Sequence, residues 1–334
     1  MVYGEYVQEQ LPVKGIGWYI EEYGVAQISY NLTNINISPL HEVFDKTCER
    51  AQARGMRVTG SELVGLVPKK VLIDAGIHFL KKQERSTGIH ESEIIKIAIK
   101  TLGLDELAPF NPKDRIIEYM LDADANKPLV NMSLTDFANE TASESPAPGG
   151  GSISAYCGAM GVSLGTMVAN LSAHKRGWDE RWEEFSEWAE KGMEYQRTLL
   201  DLVDEDTNAF NKIMDAFRLP KDSEEDKEKR AEAIQKATKY AILTPFKVME
   251  TAYSSMEVMK AMADFGNPNS VTDAGVGALC TRTAIIGAFL NVKINCGDCE
   301  DKTFVEDILE KGQEIVEKAC ILENEILMIT NSKI

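Results

Sequence analysis

The chain has 334 residues, enough for about two domains, and 44% of them are hydrophobic, so it can bury a sizeable core. Its net charge of −17 and pI of about 4.8 exclude a general nucleic-acid-binding surface, because such a surface needs basic residues facing phosphate. A small anionic ligand held by local donors remains compatible with this charge.

The N-terminus and the cysteines indicate a cytoplasmic protein without a metal site. The first ten residues, MVYGEYVQEQ, lack a basic start followed by an apolar run, so we expect no secretory signal. The six cysteines are Cys48, Cys157, Cys280, Cys296, Cys299 and Cys320. Most lie in apolar, helix-like sequence, which is typical of reduced, buried thiols. Cys296 and Cys299 form a CxxC, but zinc needs two further ligands and the sequence offers no second motif.

Residues 1–121 are predicted to form an α/β subdomain with an incomplete small sheet and helices. The expected strands are Lys14–Ile20, Val25–Asn31 and a β-rich segment at Met56–Val67. The expected helices cover Ser38–Arg54, a segment from Pro68, Ser92–Leu102 and a segment after Asn111, with polar caps or prolines at their starts. Two or three strands are few for a stable sheet, so we expect one face of this subdomain to bind a partner.

Residues 122–131 are predicted to be a linker, and residues 132–334 an all-α domain. The expected helices are Ser133–Ser143, Ser152–Ala173, Glu180–Leu219, Ser223–Phe265, Val271–Val292 with Ser270 as its cap, and Lys302–Ile329. Pro245 should kink or split the fourth of these, because proline lacks the backbone N–H that an inner helical turn requires.

A proline- and glycine-rich motif precedes the uncharged stretch 152–173. Its members are Pro146, Pro148, Gly149, Gly150 and Gly151. Ser152 is the predicted N-cap, which would leave bare backbone donors behind the glycines. Such a helix start suits an anion or the polar edge of a flat heterocycle.

Two other interpretations of this stretch stay open. The glycines can be a flexible linker, although Gly158, Gly161 and Gly165 recur at helical spacing and favour close packing against another backbone. Residues 153–171 are also long enough to span a membrane. Polar residues dilute that run and no aromatic belt accompanies it, so we expect no membrane association.

An acid stands in the middle of an apolar stripe on the long helix. The stripe comprises Tyr195, Leu199, Leu202, Val203, Phe210, Ile213 and Phe217. Asp206 in its centre is costly to ionise, so we expect a raised pKa and a role as proton donor or shuttle. The spacing fits a structural role equally well, in which the carboxyl forms its hydrogen bonds with the end of a neighbouring helix. Asp204 should lie on the opposite, solvated side.

Three further charged residues have both a binding and a structural interpretation. Asp273, near the start of the second small-residue helix, is either a ligand contact or a first-turn helix stabiliser. Lys175 and Arg176 follow the glycine-rich helix. They either hold a carboxylate or offset the negative end of that helix dipole.

The sequence resembles a known family over most of its length. From about Ser133 to Ile329 it is similar to formiminotetrahydrofolate cyclodeaminases. The similarity rests on SPAPGGGS at 145–152, LVDEDTNAF at 202–210, RLPK at 218–221, GNPNSVTD at 266–273 and GAFLNVKIN at 287–295. The N-terminal region resembles the C-terminal subdomain of glutamate formiminotransferase, through VKGIGWYIEE at 13–22, VAQISYNLTN at 25–34, GSELVGLVPKKVLIDA at 60–75 and PFNPKDRIIEYM at 109–120.

The resemblance implies an all-helical homodimer, or a larger homo-oligomer, that binds tetrahydrofolate and acts in histidine degradation and one-carbon metabolism. It would convert 5-formiminotetrahydrofolate to 5,10-methenyltetrahydrofolate and ammonia. The family's catalytic aspartate matches Asp206. The expected folate contacts are Pro148, Gly149, Gly150, Gly151, Ser152, Lys175, Arg176 and Asp273.

The resemblance also raises an expectation about formimino transfer. In the transferases the catalytic histidine and much of the folate site belong to an N-terminal subdomain, and none of the four histidines here matches that histidine. We therefore expect no transferase activity from this chain alone, with the missing subdomain lost or on another polypeptide. The alternative to a cyclodeaminase is a non-catalytic helical partner of a separate transferase.

Overall fold

The computed structural model describes residues 13–121 and 127–334, which divide into two compact units. The first unit contains residues 13–83 and 90–121, and the second contains residues 84–89 and 127–334. The segment 84–89 belongs to the second unit although it lies inside the predicted α/β subdomain. Most of the predicted linker, residues 122–126, lies outside the described residues.

The first unit contains a β-hairpin and five helices among its described residues. These elements are β1 Val13–Ile20, β2 Val25–Leu32, α1 Leu40–Gln52, α2 Lys69–Lys82, α3 Glu91–Leu102, α4 Pro112–Arg115 and α5 Ile117–Leu121. The strands are antiparallel, with Val13 opposite Leu32 and Ile20 opposite Val25. The small, incomplete sheet is thus confirmed. Leu72, Leu102 and other apolar residues of α2 and α3 form the core.

The prediction of a β-rich segment at Met56–Val67 was wrong. This stretch forms no strand and makes a single parallel bridge, between Val67 and Ile116. Its backbone is held by other contacts instead. The Ser61 amide donates to the Gly103 carbonyl over 3.1 Å, and the Ser61 hydroxyl to that of Leu102 over 2.6 Å.

The second unit is all-helical in its described residues. Its helices are α6 Leu134–Thr141, α7 Gly150–Ala173, α8 Trp182–Arg218, α9 Glu224–Phe265, α10 Val271–Asn295 and α11 Lys302–Asn331. The expected split at Pro245 does not occur, and α9 continues through it. Proline leaves the Ala241 carbonyl without its helical donor. The Asn295 amide nitrogen, on α10, donates to that carbonyl over 2.8 Å and replaces the lost bond.

The helices α7 and α10 run antiparallel in direct backbone contact. An added Cβ on Gly161 would lie 2.8 Å from the Gly277 carbonyl oxygen, and one on Gly277 would lie 2.7 Å from the Gly161 carbonyl oxygen. Only glycine at both positions allows this approach. Gly150–Ala173 and Pro268–Asp298 are each long and apolar enough to cross a membrane, but 61% and 50% of their apolar windows are buried inside the unit. This burial favours two core helices.

The helix α8 packs antiparallel to α7 and carries the apolar stripe that contains Asp206. Leu199 lies against Gly158, and Val203 lies against Ser152. The predicted apolar stripe is buried only as far along α8 as Leu202 and Val203. Phe210 and Phe217 are 44% and 49% exposed, so Asp206 stands at the end of the buried part of the stripe instead of in its middle.

Candidate active site

The carboxyl of Asp206 is bound to the first turn of α7. Its Oδ2 accepts from the Ser152 amide at 3.1 Å and lies 3.4 Å from the Ser152 hydroxyl, which donates to the Val203 carbonyl at 2.8 Å. Ser152 is therefore not the N-cap that the sequence predicted. The helix begins at Gly150 with Gly149 as N-cap, and Ser152 is its third residue. Its hydroxyl fixes α7 to α8 instead.

The glycines leave the space that this carboxyl occupies. An added Cβ on Gly151 would lie 2.1 Å from Oδ1 of Asp206, whereas one on Gly149 would meet nothing closer than 3.8 Å. Gly150 is exposed and lies beside the Asn291 side chain on α10. Pro148 is buried directly before the helix. Pro148 to Ser152 and Asp206 are thus brought together.

Burial raises the pKa of Asp206 above its ordinary value, and the two donors of Ser152 partly oppose that shift. A half-buried carboxyl with a raised pKa keeps its proton closer to neutral pH. It can therefore give a proton to a leaving group and accept one again at the same oxygen atoms.

Lys175, Arg176 and Asp273 lie at the other end of the bundle. The helix α7 has 24 residues, so its two ends are about 36 Å apart at 1.5 Å per residue. Lys175 and Arg176 follow its C-terminal end, where the Lys175 ammonium lies 3.9 Å from the centre of the Trp178 ring. Because α10 is antiparallel to α7, Asp273 in its first turn lies at that far end too. Within one chain these three residues do not meet Asp206.

Asp204, predicted to be solvated, is buried. Its carboxylate accepts from the Leu129 amide at 2.9 Å and from the Val130 amide at 3.2 Å. The residue does face away from Asp206, but the segment at 127–132 covers that face. That segment has no helical periodicity, so its position could not be predicted from local sequence. The role of Asp204 is to hold this segment on α8.

Two asparagines at the C-terminal end of α10 were not predicted as site residues from the sequence. Asn291 and Asn295 are four residues apart in the GAFLNVKIN motif and therefore share one face of α10. Asn291 lies beside Gly150, and Asn295 binds the Ala241 carbonyl. The four-residue spacing of two amides in a largely apolar helix was the feature of the sequence that could have predicted them.

A polar cluster between α8 and α9, around the neighbour of Asp206 in the chain, was also not predicted. Glu205 accepts from the Tyr240 hydroxyl and pairs with Lys212 at 3.3 Å, and the Lys212 ammonium lies 3.7 Å from the Tyr240 ring centre. Burial raises the pKa of Glu205, but its hydrogen bonds outweigh this and hold the pKa below its ordinary value. The pKa of Glu205 is therefore shifted downwards, whereas the pKa of the neighbouring Asp206 is shifted upwards.

Cys296 and Cys299 are buried, free thiols. Burial raises the pKa of Cys296, which opposes thiolate formation. Among residues 13–121 and 127–334, no group of three or more His, Cys, Asp or Glu side chains is arranged to hold a metal ion.

Fold and site together define a helical-bundle protein with a partly buried carboxyl of raised pKa at a glycine-rich helix start. A family model described as formiminotransferase-cyclodeaminase matches residues 133–314, and a formiminotransferase-domain model matches residues 7–122. The chain belongs to the formiminotransferase-cyclodeaminase family.

Three similar proteins define how far the likeness extends. The formimidoyltransferase-cyclodeaminase of Gallus gallus is 37% identical over 308 residues, which are 92% of this chain and 57% of the relative. A methenyltetrahydrofolate cyclohydrolase of Methylorubrum extorquens is 33% identical over 61% of this chain and 98% of its own. The crystal structure of formiminotetrahydrofolate cyclodeaminase from Thermotoga maritima matches with a TM-score of 0.54 at 28% identity, covering 61% of this chain and 98% of that one.

The expectations about the transferase are corrected by these matches. The match at 7–122 places a formiminotransferase domain in this chain, so the expected absence of transferase activity is not supported. The idea of a separate transferase subunit loses its basis for the same reason. The chain spans 57% of the length of its Gallus gallus relative, so the activities of the whole relative are not assigned to it.

Proposed function

We propose that the helical unit is a formimidoyltetrahydrofolate cyclodeaminase, which converts 5-formiminotetrahydrofolate to 5,10-methenyltetrahydrofolate and ammonia. The observation that carries the proposal is the Asp206 carboxyl, held at 3.1 Å from the Ser152 amide with a raised pKa. The family match over residues 133–314 supports the same reaction. Tetrahydrofolate enters as its 5-formimino derivative, and the reaction requires no metal.

The chemistry requires one proton to be given and one to be taken. N10 of the folate attacks the carbon of the protonated formimino group, and the nitrogen of that group, which already carries two hydrogens, becomes an amine that must leave. Asp206 donates its proton to that amine, which departs as ammonia. N10 loses its own proton as the bridge closes, and the Asp206 carboxylate takes it up. The glycine turn holds the reacting groups in line, so that ring closure becomes an aligned intramolecular step.

The test follows methenyl absorbance and ammonia together, with the purified chain and 5-formiminotetrahydrofolate. Catalysed formation of both products, lost in Asp206→Asn, is the expected result. A folded protein that binds tetrahydrofolate but forms neither product rejects the proposal. Formimino transfer from formiminoglutamate to tetrahydrofolate is measured on the same preparation.

A second candidate reaction is hydrolysis of the methenyl bridge. The cyclohydrolase of Methylorubrum extorquens aligns with this chain over 98% of its own length. In that reaction water attacks the bridge carbon, and a carboxylate at the position of Asp206 would accept a proton from that water. Loss of methenyl absorbance from added 5,10-methenyltetrahydrofolate, without ammonia release from the formimino substrate, identifies this activity.

We further propose a homodimer in the cytoplasm. The solvent-facing sides of α7 and α10 carry partly exposed apolar residues, among them Met160, Leu171, Val276 and Leu290. A second copy with the same uncharged face is the complementary partner. An antiparallel pairing would also bring Lys175 and Arg176 of one copy towards the Asp206 end of the other. Light scattering tests the dimer, and cell fractionation tests the location.

A further inference from the structure

Asn291 is the side chain on α10 that lies against the glycine turn. An added Cβ on Gly150 would lie 3.1 Å from Nδ2 of Asn291 and 3.4 Å from its Oδ1. The carboxamide therefore covers the exposed backbone of Gly150. Ser152, which follows in the same turn, binds Asp206. Asn291 and Asp206 thus approach the start of α7 from two different helices.

The orientation of this carboxamide is fixed by its own helix. Nδ2 of Asn291 donates to the Gly287 carbonyl over 2.9 Å, which assigns the nitrogen and oxygen positions. Oδ1 accepts from no donor among the residues that the structure describes, and the side chain is partly exposed. It therefore presents a fixed acceptor beside Gly150.

The Asp206 carboxyl determines whether a charged or a neutral ligand group can bind at the glycine turn. In the described chain, the amide of the exposed residue Gly150 donates no hydrogen bond, so it remains a donor, whereas Gly151 is buried against the Asp206 carboxyl. The Asp206 carboxyl also occupies the Ser152 amide. A second anion placed on the same turn would be repelled whenever Asp206 is ionised. One donor next to one acceptor instead matches a neutral edge that carries a carbonyl oxygen and an N–H group.

We propose that Asn291 is a substrate-positioning residue, which with the Gly150 amide binds the uncharged cyclic-amide edge of the pterin ring. The carbonyl oxygen of the pterin accepts from the Gly150 amide, and its ring N–H donates to Oδ1 of Asn291. Carboxylates and phosphates are not ligands of this turn. The inference rests on the proposed folate chemistry, and it assigns the end of the substrate that lies against α7.

The test uses 6-methyltetrahydropterin, which keeps the ring edge and lacks the carboxylate tail. Asn291→Leu keeps the side-chain size and removes both polar atoms. We expect about tenfold weaker binding of this probe, and a KM for the folate substrate raised by about the same factor with a smaller change in kcat. Asn295→Leu is the matched control, because its amide binds the Ala241 carbonyl. It should lower the melting temperature and leave the affinity for the probe unchanged.

A second variant keeps the test valid if Asn291→Leu does not fold. Asn291→Asp retains the acceptor and adds a negative charge beside Gly150, so binding of the neutral probe should persist, while Gly287 loses its donor. Unchanged probe affinity in a folded Asn291→Leu protein overturns the proposal, as does inorganic phosphate that competes with the probe. Probe binding that depends on Asn291 without ammonia release would instead reject the cyclodeaminase reaction and support the binding site.

Discussion

The backbone amide of Ser152 donates to Oδ2 of Asp206 across 3.1 Å, which joins the third residue of α7 to the middle of α8. This single contact combines both interpretations that the sequence left open for Asp206. The carboxyl is bound to a helix end, and burial still raises its pKa. The helix start stabilises the ionised form of this carboxyl, and burial favours the protonated form. A carboxyl under both influences can donate a proton and accept one.

Asp206→Asn should reduce cyclodeaminase turnover by about 100-fold or more, because the amide keeps the shape and has no proton to give. Circular dichroism should show unchanged helix content. Asp215→Asn is the control, since Asp215 is an exposed acid on the same helix that pairs with Arg218. Wild-type turnover in Asp206→Asn would show that the proton comes from elsewhere.

The raised pKa of Asp206 also predicts how stability depends on pH. Folding favours the protonated carboxyl, so its contribution is fully present below the ordinary aspartate pKa. The contribution is lost as pH rises through the raised pKa. Asp206→Asn lacks this titration, so the melting temperature of the variant should rise relative to that of the wild type as the pH increases above the ordinary aspartate pKa of about 3.9. A difference in melting temperature that stays constant with pH would contradict the raised pKa.

Gly151→Ala should impair turnover at nearly unchanged secondary structure. Its Cβ would lie 2.1 Å from Oδ1 of Asp206, so the carboxyl or the helix start must move. We expect a loss of at least about tenfold in kcat, because catalytic geometry tolerates little displacement. Gly149→Ala, whose Cβ meets nothing within 3.8 Å, is the matched control. Equal turnover of both variants would mean that Asp206 adapts without cost.

Asp204→Asn should destabilise the helical unit by about 1–3 kcal/mol, since an amide cannot accept from two backbone donors as a carboxylate does. The two donors are the amides of Leu129 and Val130. Urea unfolding measures the change. Asp201→Asn, on the exposed side of the same helix, should cost no more than about 0.5 kcal/mol. A similar loss of unfolding free energy in both variants would show that Asp204 does not hold the segment 127–132 on α8.

Met160→Glu should convert the proposed homodimer to monomers, because it places charge in the uncharged face of α7 and α10. Light scattering across a concentration series measures the mass. Met328→Glu changes an equally apolar, 66% exposed residue on α11 and should leave the mass unchanged. A wild-type mass for Met160→Glu would place the interface elsewhere or show that the chain is monomeric.

Several elements followed directly from local sequence. Helix starts with a polar cap, such as Ser133 before α6 and Ser223 before α9, were predicted to within a residue, because capping is a contact between near neighbours. The hairpin followed from two β-rich runs around a short turn. Ser152 failed as a cap because its hydroxyl found a partner on α8, which lies 51 residues further along the chain.

Long-range contacts explain the remaining differences. Pro245 was expected to break a helix, and it does remove the donor to the Ala241 carbonyl. The replacement donor, Asn295, comes from another helix and is invisible to local rules. Asp204 was placed on the correct face of α8, but a segment without periodicity covers that face.

The sequence by itself determined the helical periodicity, the two-part organisation, the family and the unusual acid at position 206, because these depend on spacing along one chain. Only the tertiary structure decided what each polar group meets. It placed Asp206 and Asn291 at the same helix start and placed Lys175, Arg176 and Asp273 at the far end. The physical reason is that antiparallel packing of α7, α8 and α10 fixes which ends of the helices meet, and that packing depends on glycines whose partners lie on other helices.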